Sequence, residues 1–123
     1  MRTPHIFFYR NFPSNVSSPT PYNYYMRKHD PPVIHDGITH VPERAARIRN
    51  FNDFAADIRA SVLPQWMFFT PNMVNDGHDT TIDYLSAWLE WWLVPLLKDE
   101  RFNSGEGKDG TLILLTFDEN EVC

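Results

Sequence analysis

At 123 residues the chain is long enough for one domain or a piece of one, and its formal net charge of −5 leaves no electrostatic basis for binding nucleic acid. With 42% hydrophobic and 15% aromatic residues, the composition is that of a globular chain that buries a core. A single cysteine, Cys123, excludes an internal disulfide framework, and no apolar run approaches the length of a membrane span.

Residues 1–23, rich in Pro, Ser, Asn and Thr, read as an irregular or disordered arm. Within it Ile6-Phe7-Phe8-Tyr9 is apolar, but Arg10 and Asn11 interrupt it short of a signal-peptide apolar region. Asn15-Val16-Ser17 has the form of a glycosylation sequon, which bears only on a secreted protein. From Tyr22 to Val41 the density of Pro, Gly and His predicts an irregular, aromatic-anchored loop. A helical pattern covers 44–58, where Asn50 is placed to cap an apolar face of Phe51, Phe54, Ala55 and Ile58, with Asp53 and Asp57 outward. Leu63-Pro64 ends that pattern and opens a strand over 65–70.

Thr80 or Thr81 is placed to cap a second helix, from near Thr80 to Leu97, with Asp83 in its first turn and Pro95 as a kink. Its apolar face is Ile82, Leu85, Leu89, Trp92, Leu93 and Leu96. Residues 98–110 are polar with three glycines and read as an exposed loop. Residues 111–117 form a nearly continuous apolar run, the pattern of a strand buried on both faces. There is no internal repeat.

Strand, helix and strand in that order predict two parallel strands, adjacent or nearly so, with their carboxyl ends on one sheet edge. Open α/β sheets build their sites at that edge. Two polar clusters would meet there: 71–79 after the first strand and 118–121 after the second. His78 and Asp79 lie directly before a helix, and Gly77 permits the positive φ that turns His78 back over the edge. Asp118 and Glu119 are adjacent carboxylates of the kind that hold a hard divalent cation. Together they make a metal-assisted hydrolysis site. Taken singly, a His before a helix is more often a cap or surface residue, and an acidic cluster after a strand more often a solvated turn. The functional reading rests on their joint placement.

The run from Leu63 to Thr80, containing Pro71-Asn72-Met73-Val74-Asn75-Asp76-Gly77-His78-Asp79, resembles the fungal acid phosphatases of the phosphoesterase family, which also contains bacterial phospholipases C. Thr111 to Glu121 resembles the same family, as do Arg27-Lys28-His29-Asp30-Pro31-Pro32 and Arg47 to Phe54, in the right order. The resemblance covers about Tyr25 to Glu121. It implies an α/β, parallel-sheet portion of an alkaline-phosphatase-like fold, incomplete at both ends, with residues 24–123 as a partial phosphoesterase domain. It also implies hydrolysis of a small phosphate ester with a divalent metal ion, in a full-length protein that is secreted or extracellular.

Carried over residue by residue, Asp118 and Glu119 match the metal-binding acidic pair. His78 and Asp79 match the His-Asp motif near the phosphate, and His29 the Lys-His-Asn/Asp-Pro motif. His5, His35 and His40 match nothing and are expected at the surface. The family's Glu-Asn pair and nucleophile segment do not appear before Tyr25, and the first two dozen residues resemble no part of it. The chain is therefore expected to carry half of the catalytic constellation and to be inactive alone. Lipid phosphodiester hydrolysis and a non-catalytic truncated remnant are the alternatives.

Overall fold

The computed structural model of the chain describes residues 3–10, 25–103 and 110–119. They form a mixed α/β structure built on a parallel sheet. Strand β1 (Thr3–Arg10) lies between β2 (Ile48–Asn50) and β3 (Pro64–Thr70), and both flanking strands run parallel to it. Phe8 is in register with Ile48 on one side and Phe68 on the other; Arg10 is in register with Asn50 and Thr70. The carboxyl ends of all three strands therefore share one edge.

The first correction concerns the arm. Residues 3–10 are the central strand, not irregular chain; the remainder of the arm, 1–2 and 11–23, lies outside the described residues. The Pro- and Ser-rich stretch dominates any wide composition window, whereas Ile6-Phe7-Phe8-Tyr9 is too short for a signal peptide but matches the length of an ordinary strand.

The second correction concerns 44–58. Pro42–Ala45 is a one-turn helix, α2, after a similar turn α1 (Asp36–Thr39), and the chain is then extended as β2 before α3 (Phe51–Ala60) begins. Asn50 explains the switch. Its backbone is extended, with φ −108° and ψ 174°, so it ends the strand while its Oδ1 accepts the backbone N–H of Asn52 at 2.8 Å and of Asp53 at 3.0 Å. The Asp53 carboxylate accepts the Asn50 N–H in return, at 3.0 Å. This reciprocal box satisfies the donors that a helix start leaves open. Asp57, expected to face outward, is buried and lies 3.0 Å from Arg49 of β2. An acidic residue on the inner face is held there by a cation one strand away.

Helix α4 (Ile82–Leu97) starts as expected, with Thr81 Oγ1 accepting the Tyr84 N–H at 3.2 Å, and it runs through Pro95 to Leu97. Of its anticipated apolar face only Leu85 is buried, and Ile82 is exposed. Trp92 and Leu96 pack against a core of Phe54, Ile58, Leu63 and Phe102, joined by Phe51, Met67, Phe69 and Ile113. That core is largely aromatic. Phe54 meets Phe69 edge-on at 4.7 Å between centroids, Phe51 stacks on Trp92 at 5.0 Å, and Trp92 on Trp88 at 5.2 Å. Such pairs add about 0.5–1.5 kcal/mol beyond the area they bury. Phe102, inside the stretch expected to be an exposed loop, is one of the core residues.

Alternation along β3 sets its two faces. Met67 and Phe69 turn to the core, while Trp66 and Phe68 are exposed. The third correction follows from what lies next to that strand. Residues 111–117 are not a strand paired with β3; Leu112 is 85% exposed and Leu114 76%, and Leu115 and Phe117 are exposed as well. The segment starts tethered to the turn that follows α4, where Thr111 Oγ1 donates to the Phe102 carbonyl and the Thr111 N–H to Asn103 Oδ1. A strand apolar on both sides needs covering layers on both faces. Only Ile113 of this run reaches the core. Among the described residues, no helix is long and apolar enough to cross a membrane.

Candidate functional site

The connection from β3 to α4, residues 71–81, starts at the carboxyl edge of the sheet and is held by its own polar groups. The Asn75 N–H donates to the Asn72 carbonyl at 2.9 Å, and the Thr80 hydroxyl to the Val74 carbonyl at 2.9 Å. Asp76 Oδ1 accepts the His78 N–H at 2.9 Å, a side-chain-closed turn typical of Asp. Between those two residues Gly77 has φ +84°, a conformation that a Cβ disfavours. Asn72 and Asn75 are both buried.

Among the described residues, two acceptors in this connection are buried without a hydrogen-bond partner: Asn72 Oδ1 and Asp76 Oδ2. Buried polar atoms are almost always satisfied. Asp76 Oδ2 faces the other motif of interest, for it lies 3.7 Å from His29 Nδ1. His29 closes a short 3-10 turn (Arg27–His29), directly followed by buried Asp30 and a second turn, Pro31–Ile34, with Pro at its start. The irregular loop expected from Tyr22 to Val41 is thus, over its described part, a series of short turns. It docks His29 against the connection after β3.

The expected site residues are placed as follows. His29 and His78 are joined through Asp76, His29 by its ring nitrogen and His78 by its backbone. The His78 and Asp79 side chains are exposed, as are those of Asp118 and Glu119. His35 and His40 are exposed, His40 lying 3.8 Å from Asp36 on the same turn. The two polar clusters do approach at chain level. A Cβ at Gly77 would meet Leu85 Cδ2 at 3.1 Å and Phe117 Cε1 at 3.6 Å, so the residue before Asp118 packs beside the residue before His78. Among the described residues, however, no three His, Cys, Asp or Glu side chains gather into a group able to hold a metal ion. Asp118 and Glu119 carry at most four carboxylate oxygens between them, where a hard divalent cation takes six or more oxygen ligands.

Asp76 and Asn72 are the residues that sequence reasoning passed over. The Asn75-Asp76-Gly77 run is so strong a turn signal that Asp76 is read as part of the turn. Its second oxygen, which the turn does not use, is what reaches His29. Away from this edge, Arg101 donates to both oxygens of Asp99 at 2.9 and 2.7 Å. Those hydrogen bonds hold the Asp99 carboxyl below its ordinary range and the Arg101 guanidinium above its own.

The chain is 47% identical over 98 residues to a probable acid phosphatase of Kluyveromyces lactis, 46% over 98 residues to an acid phosphatase of Aspergillus fumigatus, and 46% over 100 residues to a phosphate-repressible acid phosphatase of Penicillium chrysogenum. These matches cover 80%, 80% and 81% of the chain but 22%, 21% and 23% of the relatives, so the chain spans about a fifth of their length. No solved structure matches. The model of the Phosphoesterase family matches residues 5–122, so most of the first two dozen residues, expected to resemble no part of it, fall inside the match. With nearly its whole length matched, the chain belongs to the Phosphoesterase family.

Proposed function

We propose that the full-length protein hydrolyses phosphate monoesters, as an acid phosphatase, and that the chain from β1 onward is a partial phosphoesterase domain of alkaline-phosphatase-like fold. The observation that carries this reading is the union of His29, Asp76 and the His78 backbone at the carboxyl edge of a parallel sheet. Ligands of open α/β sheets bind at such edges. In this reading the imidazoles of His29 and His78 contact the phosphoryl oxygens, with Asp79 beside them. Stabilising a charged phosphoryl group is chiefly a matter of positioned donors, since phosphoryl transfer asks little covalent work of the protein.

Asp118 and Glu119 are two carboxylates of a divalent metal site whose further donors come from outside the described residues. A bound cation supplies charge neutralisation at the phosphoryl oxygens. The full-length protein is read as secreted, in line with the family resemblance. Sharing of motifs with phospholipases C makes lipid phosphodiesters the comparison substrate in any assay.

The test is a hybrid enzyme in which residues 25–119 replace the matching segment of the Kluyveromyces lactis relative, assayed for phosphate release from p-nitrophenyl phosphate and for cleavage of phosphatidylcholine. The hybrid is expected to release phosphate, and His78→Ala and Asp118→Ala are each expected to lower kcat/KM by about 10²-fold or more with little loss of thermal stability. Full activity in His78→Ala, or cleavage of the lipid alone, overturns the reading. The 123-residue chain by itself is expected to show no turnover.

A further inference from the structure

Asp76 touches both motifs, and its two oxygens do different things. Oδ1 accepts the backbone N–H of His78 at 2.9 Å. Oδ2 is buried, has no hydrogen-bond partner among the described residues and lies 3.7 Å from His29 Nδ1, about half an ångström beyond an ordinary N–H···O hydrogen bond. A carboxylate only accepts. The imidazole nitrogen that faces it must therefore carry a proton, because a lone pair there would point at a negative oxygen already stripped of water.

We propose that Asp76 is a positioning residue that fixes His29 as the Nδ1–H tautomer and, through its other oxygen, holds the His29 turn and the His78 turn at a set spacing. The two ring nitrogens of a histidine are chemically distinct, and a hydrogen bond at one decides what the other offers. With the proton on Nδ1, Nε2 is the nitrogen left for a phosphoryl group: an acceptor while the ring is neutral, a donor once it is protonated. This deepens the phosphoesterase reading and rests on it for the identity of the ligand. The tautomer itself is independent of that reading.

Imidazole tautomers are read directly from long-range proton–nitrogen correlation spectra of the nitrogen-15-labelled 123-residue chain. In the parent chain His29 is expected with Nδ1 protonated and Nε2 bare. Asp76→Asn keeps an amide oxygen for the His78 N–H but turns an NH2 donor toward Nδ1, so His29 is expected to switch to the Nε2–H form. Asp76→Ala removes both contacts and is expected to release His29 to the Nε2–H form that a free imidazole prefers. Amide dispersion shows whether each variant folds; where Asp76→Ala does not, Asp76→Asn decides. An Nε2–H tautomer in the parent chain overturns the proposal, and so does a tautomer unchanged in the folded variants. Activity of the hybrid enzyme reports separately on the phosphoesterase reading. A tautomer switch beside an inactive hybrid leaves the positioning role standing and removes phosphate as its purpose.

Discussion

Replacing Gly77 by alanine probes the turn on which the candidate site depends. With φ at +84°, any L-residue there costs about 1–2 kcal/mol relative to a right-handed or extended backbone. Alanine recovers about 0.4–1 kcal/mol by restricting the unfolded chain, so the backbone alone leaves a net loss of about 1 kcal/mol. The new methyl would also sit 3.1 Å from Leu85 Cδ2 and 3.6 Å from Phe117 Cε1. Leu85 is buried, and its displacement adds up to about 1 kcal/mol, the lower end of what overpacking costs. A total of about 1–2 kcal/mol, at a urea slope of about 2 kcal/mol per molar, moves the unfolding midpoint down by roughly 0.5–1 M when followed by Trp fluorescence. Gly77→Asn separates the two causes, because Asn tolerates left-handed backbone better than Ala but is larger. If the backbone dominates, Asn is milder than Ala; if crowding dominates, it is worse. An unchanged midpoint for both variants would refute the claim that this turn needs glycine.

Two further outcomes follow from the surface. Arg101 depresses the Asp99 carboxyl through hydrogen bonds, so the pair's contribution to stability is present above the ordinary Asp pKa and is lost as pH falls through the lower folded value. A carbon-13 titration of Asp99 should give a midpoint below an ordinary Asp that returns upward in Arg101→Ala; a midpoint indifferent to Arg101 contradicts the assignment. Leu112 and Leu114 are among the most exposed apolar side chains, so the double variant Leu112→Ser, Leu114→Ser should bind less hydrophobic dye yet shift stability by no more than about 0.5 kcal/mol. A loss of several kcal/mol would mean that these leucines are packed.

How far the sequence could be read depended on whether a signal was local. Asn50 as a cap and Thr81 as the start of α4 were legible because capping is settled within four residues. The strand expected over 65–70, observed as Pro64–Thr70, was legible from its own composition. Asp57 was not, since its burial depends on Arg49 across the β2–α3 corner. Phe102 was hidden in a polar, glycine-containing stretch, and its burial is set by Phe54 on α3. The run 111–117 misled for the converse reason: its apolar content was read correctly, but pairing needs a neighbour that local pattern does not specify. At the site, His29 and His78 were visible as motif residues, whereas Asp76 was masked by its role in the turn.

The corner between β2 and α3 has a consequence for motion at the sheet's carboxyl edge. Asn50 ends the strand and caps the helix at once, so no linker separates them, and the Arg49–Asp57 ion pair braces the corner from the side. A joint without spare residues has no soft dihedrals to absorb a hinge movement. Two first-turn amide donors of α3, those of Asn52 and Asp53, are also already taken by the Asn50 side chain, so that helix end has less to offer an arriving anion. One wall of the edge is stiff and electrostatically closed. Any adjustment of that edge falls to the other wall, the glycine-pivoted chain between Pro71 and Thr81.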